Sequence, residues 1–149
     1  MKPVLPKTID IDGVAYTGAL IKSHGELGDV IIDLDKIKIP KPILLLNDHD
    51  HSAQLGLGRV RKEGYLLLLT ASLIINESTL ILRRQLQDGL PIALSISVIG
   101  DMEKPVEAVV VNGNLVKPDT VIRNVQLLEV SVVSFGADSN AMITVGSIL

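Results

Sequence analysis

The sequence predicts a mainly β fold with at least one helix, of the barrel or sandwich kind. Three observations lead there. The chain is 47% hydrophobic but only 2% aromatic, so its core is built from Leu, Ile and Val, many of them β-branched and suited to a pleated surface. Short apolar or alternating runs recur along it, separated by Gly, Pro and Asp/Asn turn signals. A single segment carries a helical pattern with both a start and a stop signal. At 149 residues, positions 1–149 suit one domain that buries a core without staples.

Residues 8–12 alternate Ile9 and Ile11 with Asp10 and Asp12 and then meet Asp12-Gly13, read as a hairpin turn into a partner strand over 14–21. Residues 23–29, with Gly25 and Gly28, form a loop whose His24 is expected to face solvent. Residues 30–34 read as a short strand or an ordered loop. Pro40 and Pro42 punctuate the chain, and 43–46 is an apolar run short enough for a buried strand. The polar segment Asn47-Asp48-His49-Asp50-His51-Ser52 follows at once. Gly56 and Gly58 mark 55–61 as a strand with close backbone neighbours, and Glu63-Gly64 turns it into a long strand over 65–75.

Asn76 caps a helix that Gly89 closes, and Glu77 suits the positive end of its dipole. Leu82 and Leu86, with Leu80 nearby, form its apolar stripe, while Arg83, Arg84 and Gln87 are expected to face water. A strand over 91–100 comes next, then a loop over 101–105. Residues 106–116 fold back at Asn112-Gly113, a strong hairpin signal. Pro118 breaks the chain, 121–134 is a long strand region, and 141–145 adds a last short strand.

Composition narrows the function classes. Without cysteine, disulfides, thiolate metal sites and a Cys nucleophile are all unavailable. A net charge of −3 with no long basic run argues against nucleic acid as the main partner. The longest apolar run, 65–75, is interrupted by Thr70 and Ser72 and falls short of the roughly 20 residues of a membrane helix. Residues 1–7 contain no apolar stretch of the signal-peptide kind.

Four places could carry chemistry. In 91–100, alternation sets Leu94, Ile96 and Val98 on one face and Ala93, Ser95, Ser97 and Ile99 on the other. Two hydroxyls thus share a face of small or apolar residues. Each is either a buried serine bonded to backbone or a nucleophile with a base beside it. His49 lies just past an apolar strand among polar neighbours, a place for a general base or a surface histidine. His51, two residues on, points the same way if the segment is extended, which opens a metal site with Asp48 or Asp50. No third His or Glu stands nearby at ligand spacing, whereas zinc takes three or four protein ligands. In 127–133, alternation puts Leu127, Glu129, Ser131 and Val133 on one face. Glu129 there either points at water or is buried against a partner that offsets its desolvation. Periodicity leaves each of these choices open.

The order of these motifs resembles the serine proteases that mature the proheads of tailed bacteriophages, a family distantly similar to the herpesvirus assembly proteases. Ile43-Leu44-Leu45-Leu46-Asn47-Asp48-His49-Asp50 followed by Gly58-Arg59-Val60 looks like its His-Asp loop and Gly-basic-Val step. The helix 76–89 and Leu94-Ser95-Ile96 resemble its helix and Leu-Ser-Ile strand. Leu127-Leu128-Glu129-Val130-Ser131-Val132-Val133, trailed by Ala137-Asp138-Ser139-Asn140-Ala141, is similar to its Leu-x-Glu-Val-Ser-x-Val segment and Ala-polar-polar-x-Ala pattern. The resemblance spans 43–141. It departs at Ser97-Val98, where the family usually has Gly and an aromatic, and at Gly136, where it usually has Pro.

The resemblance implies a herpesvirus-protease-like β-barrel surrounded by helices, with Ser95 as nucleophile, His49 as general base and Glu129 orienting the imidazole. His51 and Ser97 are the alternative base and nucleophile. It further implies an endopeptidase that cleaves capsid and scaffold protein inside assembling proheads in the host cytoplasm, and that also cleaves itself. Neither cofactor, metal, nucleic acid nor membrane is expected to take part, and self-association is open.

Overall fold

The structure, a computed structural model, describes residues 8–74, 76–134 and 136–148. The segment 1–7 read for targeting and Ile75 at the end of a predicted strand lie outside the described residues. The fold is mainly β: ten strands and one α-helix among the described residues. They are β1 (Thr8–Tyr16), β2 (Val30–Ile32), β3 (Ile43–Asn47), β4 (Asp50–Glu63), β5 (Leu66–Ile74), α1 (Leu80–Gln87), β6 (Ala93–Glu103), β7 (Val109–Val111), β8 (Asn114–Val116), β9 (Thr120–Val133) and β10 (Ile143–Ile148). No described helix is long and apolar enough to cross a membrane.

Eight strands make one mixed sheet in the order β10-β1-β5-β4-β3-β9-β2, with β6 also on β9. β9 is its axis. One edge carries β2 and β3 in tandem, both parallel to it; the other carries β6, antiparallel over most of its length. The sheet coils until β6 meets the residue before β10 at the single bridge Ala93–Met142, flanked by Leu94 N–H to Ala141 O and Ile143 N–H to Ile92 O, both 3.0 Å. No continuous ladder joins these two strands, so the expected closed barrel is not formed. Nor do helices surround it: among the described residues, α1 is accompanied only by single 3-10 turns at Gly25–Leu27 and Glu77–Thr79. Leu and Ile from β1, β3, β5, β6 and β9 fill the interior, including Ile9, Ile11, Leu45, Leu69, Leu94 and Leu127.

Asp12-Gly13 does not turn the chain. β1 runs straight through it and ends at Tyr16, so the partner strand expected over 14–21 is absent. Gly13 serves clearance instead: a Cβ there would stand 2.7 Å from Leu94 Cδ1 and 2.9 Å from Met142 O. Gly58 meets its expectation of a close neighbour, with Ala71 Cβ 2.8 Å from where a Cβ would be. The Asn112-Gly113 hairpin forms as read, both residues having positive φ (50° and 78°) between paired Val111 and Asn114.

The helix starts later than read. Asn76 Oδ1 accepts from Thr79 N–H at 3.2 Å and caps the 3-10 turn, and α1 begins at Leu80. Leu82 is buried as expected, but Leu80 is half exposed, and the Nε of Arg83 is shielded from water. β6 also outruns its predicted end, continuing to Glu103 where a loop was expected.

Candidate active site

His49 owes its place to a turn. β3 and β4 are joined by Asp48 and His49 alone, with Asn47 paired to Asp50. Both turn residues sit in the left-handed region, at φ 52° and 58°, as a two-residue hairpin requires. Glycine or Asn is the usual occupant there; Asp and His tolerate it better than most residues. The tip is tied to β9 twice. Asp48 N–H donates to Val132 O at 2.8 Å, and His49 N–H donates to Ser131 Oγ at 3.0 Å. Asp50 Oδ1 accepts from both Ser52 N–H (2.9 Å) and Ser52 Oγ (2.7 Å), which fixes the exit from the turn. These bonds, the hydroxyl's first, hold the Asp50 carboxyl below its ordinary range.

Glu129 is buried, 1% exposed, and every oxygen has a partner. Oε1 accepts from His49 Nδ1 and from Ser97 Oγ (2.6 Å), and Oε2 accepts from Ser131 Oγ (2.7 Å). Of the two readings the sequence left open, the structure takes the buried and partnered one. Ser131 joins the turn backbone to the carboxylate, accepting from His49 N–H and donating to Glu129. Its signal in the sequence was its place on the same face as Glu129, two residues on.

The register of β6 on β9 sets which serine sits beside His49 Nδ1. Ser97 pairs with Glu129, and Ser95 pairs with Ser131. Ser97 Oγ thereby reaches both Glu129 and His49 Nδ1, at 3.1 Å from the latter. Ser95 lies on the same face and lines the same cleft, but the hydroxyl bonded to the imidazole is Ser97's. His51 is exposed on β4, outside this cluster. Because His49 occupies a turn rather than extended chain, the premise that the two histidines point the same way does not hold.

Donor logic fixes the imidazole. An ionised carboxylate only accepts, so Nδ1 carries the proton that faces Glu129, and Nε2 is left with a free lone pair. The Ser97 hydroxyl is committed to Glu129 on the Nδ1 side. A nucleophile activated by this histidine must therefore approach Nε2. The arrangement can hold an imidazole in one tautomer, accept a proton on Nε2 and stabilise the resulting imidazolium with Glu129.

The cleft has a volume of about 400 Å3. His49, Ser95 and Ser97 line part of it; Tyr16, Ile32 and Ile122 line another. Tyr16 donates its hydroxyl proton to Ala19 O and accepts from Ile32 N–H, and burial pushes its phenol well above the ordinary range. Asn112, read only as a turn residue, braces this wall. Its Oδ1 accepts from Leu34 N–H (2.9 Å), and its Nδ2 donates to Ile32 O (2.7 Å) and Gly18 O (3.0 Å). Comparison with protein-family models and with curated proteins finds no match to this chain.

Proposed function

We propose that the protein is a serine endopeptidase in which Ser95 is the nucleophile, His49 the general base and Glu129 the residue that holds the imidazole. One observation carries the reading. A buried glutamate, bonded to two serine hydroxyls, grips Nδ1 of a histidine set in an unfavourable backbone conformation at the mouth of a cleft. Backbone strain of this kind, about 1–3 kcal/mol per residue, tends to collect at functional sites. In the mechanism, Nε2 takes the Ser95 proton as Oγ attacks the scissile carbonyl, then returns it to the leaving amine. Water, activated by the same nitrogen, hydrolyses the acyl-enzyme. Leu94 N–H leaves β6 on the side away from β9; alternation directs Ile96 N–H the same way, where it can donate to the oxyanion.

The motif order set out above gives this enzyme a substrate class: capsid and scaffold protein in a phage prohead, with self-cleavage, on a fold akin to the herpesvirus assembly proteases. Two edge strands brought together in a coiled sheet accord with that fold without closing it. The test is labelling by a serine-reactive phosphonate, read by mass spectrometry, beside cleavage of the cognate capsid protein. Ser95→Ala should lose both and keep the wild-type melting temperature. Full cleavage by that variant would remove Ser95 from the mechanism. A second reading, a non-catalytic module that binds scaffold protein, is favoured by Ser97 rather than Ser95 being bonded to the imidazole. An unlabelled wild-type protein that still binds scaffold would establish it.

A further inference from the structure

The cleft has two halves laid along one strand. Its polar half holds His49, Ser95 and Ser97. Just beyond Ser97, the β6–β9 register slips: Ser97 pairs with Glu129 but Val98 with Leu127, so Leu128 is bulged out of the ladder. The extra residue belongs to β9, so β6 keeps its own alternation through the slip. β6 lines the cleft from both faces, with Ser95 and Ser97 beside His49 and with Leu94, Ile96, Val98 and Met102 from the other face, the last two alongside Ile32 and Ile122. From Ser95 to Met102 the strand covers about 23 Å. Ile32 and Ile122 are buried, and Met102, 63% exposed, forms the rim.

Charge is poorly provided for in this cleft. Among the described residues, no Lys or Arg lines it. Asp138 does, but Oδ2 is taken by Thr17 N–H and Thr17 Oγ1, both at 2.7 Å, and Oδ1 by Asn140 N–H at 3.2 Å. His24 lines it too but is solvent-exposed. A carboxylate or ammonium entering the apolar half would lose water without gaining a partner.

We infer that this apolar half is a subsite for an aliphatic side chain of an extended peptide substrate, several residues away from the bond cleaved at Ser95. The inference rests on the endopeptidase reading for its link to cleavage, though not for the binding itself. At the rise of a strand, Val98 and Met102 meet residues about three to seven places from the scissile bond. Recognition is therefore spread along the substrate rather than confined to the reacting residue, and loss of the remote anchor weakens binding.

The experiment uses the Ser95→Ala protein and fluorescein-labelled dodecapeptides of Ala and Ser carrying one Leu, walked along the peptide, with Asp and Lys counterparts. Binding is read by anisotropy, and its place by the methyl shifts of Ile32, Met102 and Ile122. Leu peptides should bind at least about tenfold tighter than their charged counterparts and shift those methyls. Met102→Asp, on the exposed rim, should erase the preference without changing the melting temperature. Equal binding of Leu, Asp and Lys peptides, binding by none of them, or shifts confined to residues away from the cleft overturn the subsite. Wild-type protein that neither cleaves nor takes a phosphonate, beside an intact Leu preference, overturns the enzyme instead and leaves the subsite standing.

Discussion

Replacing His49 by glycine and by alanine separates the histidine's proposed role as base from its place in the turn. Both variants lose the imidazole and its bond to Glu129, so that loss cancels between them. What remains is the backbone at φ 58°. A residue with a Cβ pays about 1–2 kcal/mol in the left-handed region. Glycine is relieved of that, but its freer unfolded chain gives back about 0.4–1 kcal/mol. His49→Gly should therefore be more stable than His49→Ala by about 0.5–1 kcal/mol, or roughly 2–3 °C in melting temperature for a domain of this size. Thermal unfolding followed by circular dichroism resolves such a difference. Turnover of a peptide substrate should fall at least about a hundredfold in both, the least a missing general base removes. An alanine variant as stable as the glycine variant would refute the left-handed turn. Cleavage at the wild-type rate by either would refute the assignment of the base.

Three other perturbations follow from the same geometry. Ser97→Ala removes a hydroxyl bonded to Glu129 and His49 and should cost about 1 kcal/mol in urea unfolding. It should also slow turnover while leaving phosphonate labelling of Ser95 intact; labelling lost with Ser97 and kept without Ser95 would make Ser97 the nucleophile. Gly13→Ala forces a methyl against Leu94 and Met142 and should destabilise by about 1–3 kcal/mol in urea unfolding, with an unchanged midpoint contradicting the close approach of β1, β6 and β10. Asn112→Ala strips three backbone groups of their partner and should cost about 3 kcal/mol, seen in urea unfolding and in faster amide exchange at Leu34.

The parts of this molecule that a sequence displays are those decided locally. Asn112-Gly113 makes a hairpin turn, and Gly64 turns β4 into β5, because their own backbone preferences allow it; the alternation read along β9 fails at Leu128, where the bulge puts Leu127 rather than Leu128 in the core with Val130. Asp12-Gly13 has the same appearance and a different cause. Its glycine answers to Leu94 and Met142, residues remote in sequence, and no dipeptide rule contains that distance. The site divides the same way. His49 and Glu129 stand out by residue type, one at the end of an apolar run and the other inside one. Which serine meets them depends on how β6 is registered against β9. A shift by a single residue would exchange the faces of the strand, and neither strand's sequence states that register. The role of Asn112 as a brace was hidden for a related reason: its turn signal is local, whereas its three hydrogen bonds reach Gly18, Ile32 and Leu34.

β9 explains why chemistry gathers where it does. Its upper half is flanked by β3 running parallel and β6 running antiparallel, with Leu44 and Ser97 both in register with Glu129. The parallel neighbour delivers the end of β3, and with it the His49 turn, to the level of Ser131. The antiparallel neighbour delivers two serines to the same face. Regular alternation along β6 brings Leu94, Ile96, Val98 and Met102 to the cleft from its other face. The bulge at Leu128 changes the parity of β9 instead, so that Leu127 joins Val130 in the core while Leu128 points outward, 42% exposed. β6 thus presents hydroxyls to a histidine from one face and an apolar wall from the other. A peptide held beside β6 would meet both in turn, in an order set by the strand.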